Sequence, residues 1–129
     1  MASNIISVNL ASYGGFAAGA YAHLERIGVR HVEIGVPAPE RADSVRKELE
    51  RHGLSAASLH CPFDLAEDEP EGMRPHLEAG RAMGVERFFI SARAGDLPKP
   101  EAYRRLRAQA ELADAYGITL ALETHPDLG

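Results

Sequence analysis

The chain has 129 residues, of which 45% are hydrophobic and 26% charged, enough for one globular domain with a buried core. Its net charge of −5, with 14 basic and 19 acidic residues, argues against a nucleic-acid partner. No apolar run approaches the ~20 residues that span a bilayer, and the first residues lack a signal-peptide pattern. With Cys61 as the single cysteine, no internal disulfide can form, and we expect a cytoplasmic protein without a membrane partner.

Strands and helices alternate along the chain. In chain order we predict a strand over 5–10, a helix over 16–27, a strand over 31–36, a helix around 42–49, a strand over 56–60, a helix over 71–83, a strand over 87–92, a helix starting within 96–100 and a strand over 119–123. The apolar face of the first helix is predicted to be Phe16, Ala20, Leu24 and Ile27. That of the fourth helix is predicted to be Tyr103, Leu106, Ala110 and Ala113.

One short pattern occurs four times, and it is typical of an α/β protein. A glycine ends a helix, an aliphatic residue follows, and a buried strand begins a few residues later. The four glycines are Gly28, Gly53, Gly84 and Gly117. A glycine just past the last helical turn can take the left-handed conformation that stops a helix. The repeat therefore predicts successive βα units and a parallel sheet.

Two architectures fit this order of elements. A doubly wound sheet carries helices on both faces, whereas a (β/α)8 barrel carries every helix outside. The chain lacks the glycine-rich fingerprints of nucleotide-binding sheets, and polar side chains end nearly every strand, which favours the barrel. A barrel needs ~250 residues, about twice this length. We therefore predict a single domain over 1–129 that is half of a TIM barrel: four βα units plus a fifth strand.

Four polar side chains end predicted strands, namely Glu33, His60, Arg93 and Glu123. Ligands of parallel α/β proteins bind at the carboxyl ends of the strands. These four residues are therefore candidates for a common site. Each has a structural alternative: a solvated or internally bonded carboxylate, a satisfied strand-end histidine, or a surface ion pair.

Three motifs carry a family resemblance. Leu122-Glu123-Thr124-His125, His60-Cys61-Pro62 and Val32-Glu33-Ile34-Gly35 occur in the order and spacing of the sugar phosphate isomerase/epimerase group. The chain resembles the first half, plus the fifth strand, of these xylose-isomerase-like TIM barrels. The resemblance implies a sugar or sugar phosphate substrate from carbohydrate metabolism. It also implies a divalent metal that holds two neighbouring substrate oxygens, while carboxylate pairs move a proton, or the metal assists a hydride shift, between adjacent sugar carbons.

The resemblance also assigns roles to residues. Glu123 is expected to bind the metal, which could be Mn²⁺, Mg²⁺, Co²⁺ or Zn²⁺. Glu123, His60 and Glu33 are expected to be catalytic. Arg93 and His125 are expected to bind substrate, with Arg93 standing where the family often has a histidine. Cys61 is expected to be a small buried thiol rather than a nucleophile.

The family's remaining metal ligands come from strands six to eight, which have no counterpart here. Catalysis by one copy alone is therefore doubtful. Either the chain is a fragment of a longer barrel, or it pairs with a copy of itself, and we expect a homo-oligomer, most simply a dimer, that covers the open interior. The alternative is a non-catalytic half-barrel scaffold that self-assembles. A relative of the apurinic-site endonucleases is a more distant reading, because those enzymes need further histidine ligands and bind DNA.

Overall fold

The computed structural model describes residues 3–128. Five parallel strands form one sheet: β1 (Val8–Asn9), β2 (His31–Gly35), β3 (Ser55–His60), β4 (Arg87–Ser91) and β5 (Thr119–Glu123). Four helices connect them: α1 (Ala20–Arg26), α2 (Ala42–Arg51), α3 (Arg74–Ala82) and α4 (Lys99–Ala115). Short 3₁₀ segments, Leu10–Gly19, Pro39–Arg41 and Pro70–Met73, precede the first three helices.

The strand order in the sheet is the order of the strands in the chain. A doubly wound sheet reverses its strand order at a switch point, whereas the wall of a barrel does not. The sequential order therefore confirms the prediction of a barrel wall with four βα units and a fifth strand. No helix within residues 3–128 has both the length and the apolarity that a membrane crossing requires.

The predicted helix-ending glycines all adopt positive φ angles, of 82° at Gly28, 67° at Gly53, 72° at Gly84 and 70° at Gly117. The amide of the residue after each glycine bonds to a carbonyl five residues before it, as Val29 does to Leu24 at 3.0 Å. This is the bond of a Schellman motif, which satisfies a free carbonyl at the helix end. The local prediction of helix ends is confirmed.

The core lies between the sheet and the helices. Strand residues Val32, Leu59 and Phe88 are fully buried, and they share one cluster with buried helix residues Leu24 and Leu77. Helix α3 approaches the sheet so closely that a Cβ atom on Gly80 would lie 2.5 Å from Phe88 Cε1. The opposite, concave face of the sheet carries the polar side chains that alternate with these core residues along the strands.

Two predicted features near the start of the chain are wrong. The first strand is two residues long, because only Val8 and Asn9 pair with β2. Residues 10–19 form 3₁₀ turns with a kink at Gly14, so Phe16 (83% exposed) does not share a buried face with Ala20 and Leu24. Ile27 (56% exposed) lies just past the end of α1 and is not on that face either. A 3₁₀ segment has three residues per turn, so it loses the 3.6-residue spacing on which that face was predicted.

The buried face of α4 is rotated from the predicted one. Tyr103 is 46% exposed and Ala110 is also exposed, whereas Ala102 and Gln109 are fully buried beside the correctly predicted Ala113. The side-chain nitrogen and oxygen of Gln109 have no hydrogen-bond partner among the residues that the structure describes. Apolar spacing alone did not identify this face because its centre is an amide side chain.

Candidate functional site

A polar row crosses the concave face at the first three strands. Glu33 on β2 accepts a hydrogen bond from Asn9 Nδ2 on β1 at 3.1 Å, and Ser58 on β3 donates to its other carboxylate oxygen. The sheet register places Asn9, Glu33 and Ser58 side by side. Both oxygens of this half-buried carboxylate are therefore held in place, which fixes its orientation toward the interior.

The predicted residues Glu123 and His125 lie together at the carboxyl ends of β4 and β5. Ser91 of β4 pairs in register with Glu123 of β5. Ser91 Oγ is 2.8 Å from His125 Nε2, and the same nitrogen is 3.5 Å from Glu123 Oε2. The His125 side chain is 17% exposed and that of Glu123 is 51% exposed. The imidazole is thus anchored by the serine, while the carboxylate remains open to a ligand.

Asp127, which sequence reasoning did not single out, secures the segment that carries His125. Its carboxylate accepts hydrogen bonds from the amides of Ala94 at 2.7 Å and Gly95 at 3.2 Å. The bond from Ala94 is the main reason that the pKa of Asp127 is lowered. Leu128 is buried beside this loop, and its carbonyl accepts a hydrogen bond from Tyr103. Together these contacts tie the chain after β5 to the loop after β4.

His60 is the last residue of β3 and is exposed to solvent. Its ring packs against Phe89 of β4, with ring centroids 5.3 Å apart and planes inclined by 45°. The register pairs these two residues, so His60 and Phe89 share the face of the sheet that opens inward. The imidazole is therefore available to a ligand at the mouth of the sheet.

Arg93 lies in a different place. It lines a surface cleft of about 580 Å³ together with Asp64, Glu67 and Asp96, and neither Glu123 nor His125 is among the lining residues. Three carboxylates line the same cleft as the one guanidinium, so the electrostatic environment is acidic. The structure therefore brings Glu123 and His125 together, whereas Arg93 lines a cleft whose lining includes neither of them.

The loop between β3 and α3 is held by Arg105, a second residue that sequence reasoning missed. Its Nη1 donates to the carbonyls of Leu65 at 2.8 Å, Asp68 at 3.3 Å and Ala66 at 3.4 Å, and Nε donates to Glu101 at 3.2 Å. The side chain is only 14% exposed. No motif marks Arg105 in the sequence, because its partners are backbone atoms about 40 residues away.

Cys61 is fully buried directly after β3. Burial raises the pKa of its thiol to about 12, and the negative charge of Asp68 acts in the same direction. A thiol with this pKa carries no thiolate at neutral pH. The expectation of a small buried thiol rather than a nucleophile is supported by both observations.

The side chains present fit a divalent metal poorly. Within residues 3–128, no three His, Cys, Asp or Glu side chains are grouped closely enough to surround an ion. Glu123 and His125 supply two adjacent donors, whereas catalytic zinc sites, for example, take three protein ligands. A metal site made from these residues alone is therefore incomplete.

Comparison with known proteins identifies the family to which the chain belongs. The sequence model of one family, described as xylose isomerase-like TIM barrel, matches residues 21–129. No curated protein sequence matches the chain. A sugar phosphate isomerase/epimerase from Parabacteroides distasonis ATCC 8503 has a similar structure, with a TM-score of 0.76 and 13% identity over 97% of this chain and 52% of that one.

Two further solved structures are similar. A family 2 AP endonuclease from Brucella melitensis gives a TM-score of 0.70 at 14% identity, over 90% of this chain and 53% of that one. A D-psicose 3-epimerase gives 0.62 at 12% identity, over 96% of this chain and 51% of that one. At such identities the likeness concerns the fold. The chain spans about half the length of each of these proteins.

Proposed function

Because the chain belongs to the xylose isomerase-like TIM barrel family, we propose that it forms one half of a site for isomerising or epimerising a sugar or sugar phosphate. The observation that carries this proposal is the grouping of Glu123, His125 and Ser91 at the carboxyl ends of β4 and β5. In a barrel, that end of the strands is where active sites are built. The fold itself is half of such a barrel.

The proposed chemistry is the transfer of a proton at a carbon next to a sugar carbonyl. Glu123 would accept the proton, since its carboxylate is half exposed and lies beside an imidazole. His125, fixed by Ser91, would orient that carboxylate or a substrate hydroxyl. His60, exposed beside Phe89, would contact a second hydroxyl.

Glu33 is the second carboxylate of the proposed reaction. Proton transfer between adjacent carbons needs one group to remove the proton and one to return it. Asn9 and Ser58 hold Glu33 in one orientation, which supports a role in chemistry on the concave face. In a barrel, Glu33 and Glu123 would both face the interior, from β2 and β5.

The divalent metal ion on which the family depends needs more protein ligands than this chain supplies. Glu123 and His125 would be its contribution to a divalent ion, which would polarise the sugar carbonyl, and the other ligands would come from a second half of the barrel. Calorimetric titration of Mn²⁺ tests this contribution. Heat of binding to the wild type that disappears in Glu123→Ala would support it, and identical heats would remove the metal from the proposal.

The cleft that Arg93 lines is proposed to contact a neutral part of the sugar rather than a phosphate group. The carboxylates of Asp64, Glu67 and Asp96 line the same cleft and would repel a phosphate group. This arrangement favours a neutral sugar over a sugar phosphate. Binding of a ketose and of its phosphate, compared at equal ionic strength, tests the preference, and tighter binding of the phosphate would contradict it.

Deuterium exchange tests the proposed reaction directly. The chain is incubated in D₂O with Mn²⁺ and each of several ketoses, and NMR follows the hydrogen on the carbon beside the carbonyl. We expect exchange with the wild type, a loss of roughly a hundredfold or more in Glu123→Gln, and an unchanged rate in Glu111→Gln, an exposed carboxylate on α4. Equal rates in the two variants, or no exchange with any ketose, would refute the proposal.

A non-catalytic half-barrel scaffold is the second candidate function. The observation in its favour is the incomplete donor set, which offers two adjacent ligands instead of three. A scaffold predicts no deuterium exchange and a melting temperature that Mn²⁺ leaves unchanged. Exchange that depends on Glu123 would exclude it.

A role like that of the AP endonucleases is a more distant candidate, suggested by one of the similar structures. The net charge of −5 opposes binding to a phosphate backbone. Tight, salt-dependent binding of DNA that contains an apurinic site would revive this candidate.

A further inference from the structure

The segment that follows β1, residues 10–19, lies at the carboxyl end of the sheet and is loosely held. None of its ten residues is buried. Three of them are glycines, and Gly14 interrupts the 3₁₀ geometry with a φ of 51° and a ψ of −122°. A segment with so few buried apolar contacts opens at a low cost in free energy. Its position therefore depends on a small number of hydrogen bonds.

Two hydrogen bonds of side chains attach this segment to the rest of the fold. At its start, Asn9 Oδ1 on β1 accepts a hydrogen bond from the amide of Ala11 at 2.9 Å. In its middle, Tyr13 Oη lies 2.7 Å from Nδ1 of His23, a residue of α1. The first bond ties the segment to the sheet, and the second ties it to the helix layer.

The side-chain amide of Asn9 joins the segment to Glu33. Its Nδ2 donates to Glu33 Oε1 at 3.1 Å, while its Oδ1 is occupied by the amide of Ala11. If the side-chain amide turned by 180°, its oxygen would face the carboxylate and its NH₂ group would face the backbone N–H. Neither bond could then form, because each would lack a donor or an acceptor. Each bond therefore holds Asn9 in the orientation that the other bond requires.

We propose that Asn9 is a positioning residue that couples residues 10–19 to the Glu33 carboxylate; its part in catalysis rests on the proposed function. While the segment holds Asn9 Oδ1, Nδ2 faces Glu33, and Ser58 donates to the other carboxylate oxygen. When the segment moves away, Asn9 is free to rotate and Glu33 loses one of its two donors. A carboxylate transfers a proton only from a narrow range of positions. The segment therefore sets how often Glu33 is correctly placed.

Amide hydrogen exchange, measured by NMR without any substrate, tests the coupling. Glu33→Ala removes the acceptor of Asn9 Nδ2, so the amide of Ala11, which is bonded to Asn9 and not to Glu33, should exchange about threefold faster or more. The expected effect is moderate because Asn9 is exposed and water competes for its bonds. An unchanged rate at Ala11 would overturn the proposal.

Two further variants are the controls for this experiment. Glu33→Gln removes the charge but keeps an oxygen that can accept from Asn9 Nδ2. Glu123→Ala removes a carboxylate from β5, at the other edge of the sheet. Both should leave exchange at Ala11 near the wild-type rate. A rise in either control equal to that in Glu33→Ala would overturn the proposal, since the effect would then not come through the bond to Asn9.

Substitution of Asn9 separates positioning from capping. Serine caps a helix about as well as asparagine, but one short hydroxyl cannot also reach Glu33. Asn9→Ser should therefore keep the urea midpoint of the wild type, and Asn9→Ala should lower it. Both should slow deuterium exchange, with the ketose for which the wild type shows it, about threefold through kcat and with KM unchanged. A wild-type rate in Asn9→Ser would mean that Asn9 is only a cap, and would overturn the positioning role.

The coupling and the chemistry can fail separately. Absence of deuterium exchange with every ketose would refute the proposed function. Hydrogen exchange at Ala11 in Glu33→Ala would still decide whether Asn9 couples the segment to the carboxylate, because that measurement needs no substrate.

Discussion

Replacing Arg105 by alanine should destabilise the protein, because this guanidinium holds the loop between β3 and α3. The loop covers residues 61–69, and three of its carbonyls accept hydrogen bonds from one nitrogen of Arg105. The bond to Leu65 at 2.8 Å is short, whereas those at 3.3 and 3.4 Å are at the limit of hydrogen-bond distance. We therefore count one strong bond from a charged donor.

A hydrogen bond to a charged group contributes about 1.5–3 kcal/mol, and an unsatisfied buried carbonyl costs about 1–3 kcal/mol. Leu65 itself is fully buried, so its carbonyl has little access to water once the guanidinium is gone. Some relaxation of the loop will recover part of the loss. We expect the free energy of unfolding to fall by about 2–3 kcal/mol in Arg105→Ala.

Arg104→Ala is the matched control. Arg104 is the neighbouring residue on α4 and also bonds Glu101, but its side chain is 61% exposed. Exposed ion pairs of this kind contribute about 0–1 kcal/mol. Urea denaturation followed by circular dichroism measures both variants. An equal loss of stability in the two would refute the assignment of the loop contact to Arg105, and Arg105→Lys should fall between Arg105→Ala and the wild type.

Four further predictions concern the core and the site. Gly80→Ala should lower the free energy of unfolding by about 1–2 kcal/mol, since overpacking against Phe88 outweighs the gain in helix propensity. Gly72→Ala is the control and should change stability little, because nothing lies close to the added methyl group. Equal shifts of the melting temperature in the two variants would contradict this. Gln109→Met should raise the urea midpoint by removing two unsatisfied buried polar atoms. Because the pKa of Asp127 is lowered from its ordinary value of 3.8, its carboxylate stabilises the folded protein at pH values above 3.8, and this stability is lost as the pH falls through the lowered pKa. In Asp127→Asn the urea midpoint should therefore depend less on pH in this acidic range. An unchanged pH dependence would contradict the role of the Asp127 hydrogen bonds to the amides of Ala94 and Gly95. Cys61 should resist iodoacetamide at pH 8 in the folded protein and react in urea; rapid labelling of the native state would contradict its burial.

Features that depend on neighbouring residues were predictable from the sequence. The helix ends at Gly28, Gly53, Gly84 and Gly117 follow from local backbone geometry, and the strands after them follow from short apolar runs. The proximity of Glu123 and His125 was also implied by their spacing at the end of a strand.

Features that depend on distant parts of the chain were not predictable in the same way. The partner of His125 is Ser91, which a different strand supplies, and Asp127 acts on amides 32 and 33 residues away. The exposure of Phe16 depends on a 3₁₀ segment, and the burial of Gln109 depends on how α4 docks. In each case the position of the side chain depends on tertiary contacts, which no periodic pattern in the sequence predicts.

The sequential strand order has a consequence for how the protein is made. Each strand finds its partner in the strand synthesised just before it, so the required contacts span about one βα unit of chain. Pairing parallel strands across a whole βα unit is slow, but the sequential order allows the wall to grow unit by unit as the polypeptide leaves the ribosome. A nascent chain stalled after α3 would then already hold β1, β2 and β3 in their final order, with only its last edge waiting for β4.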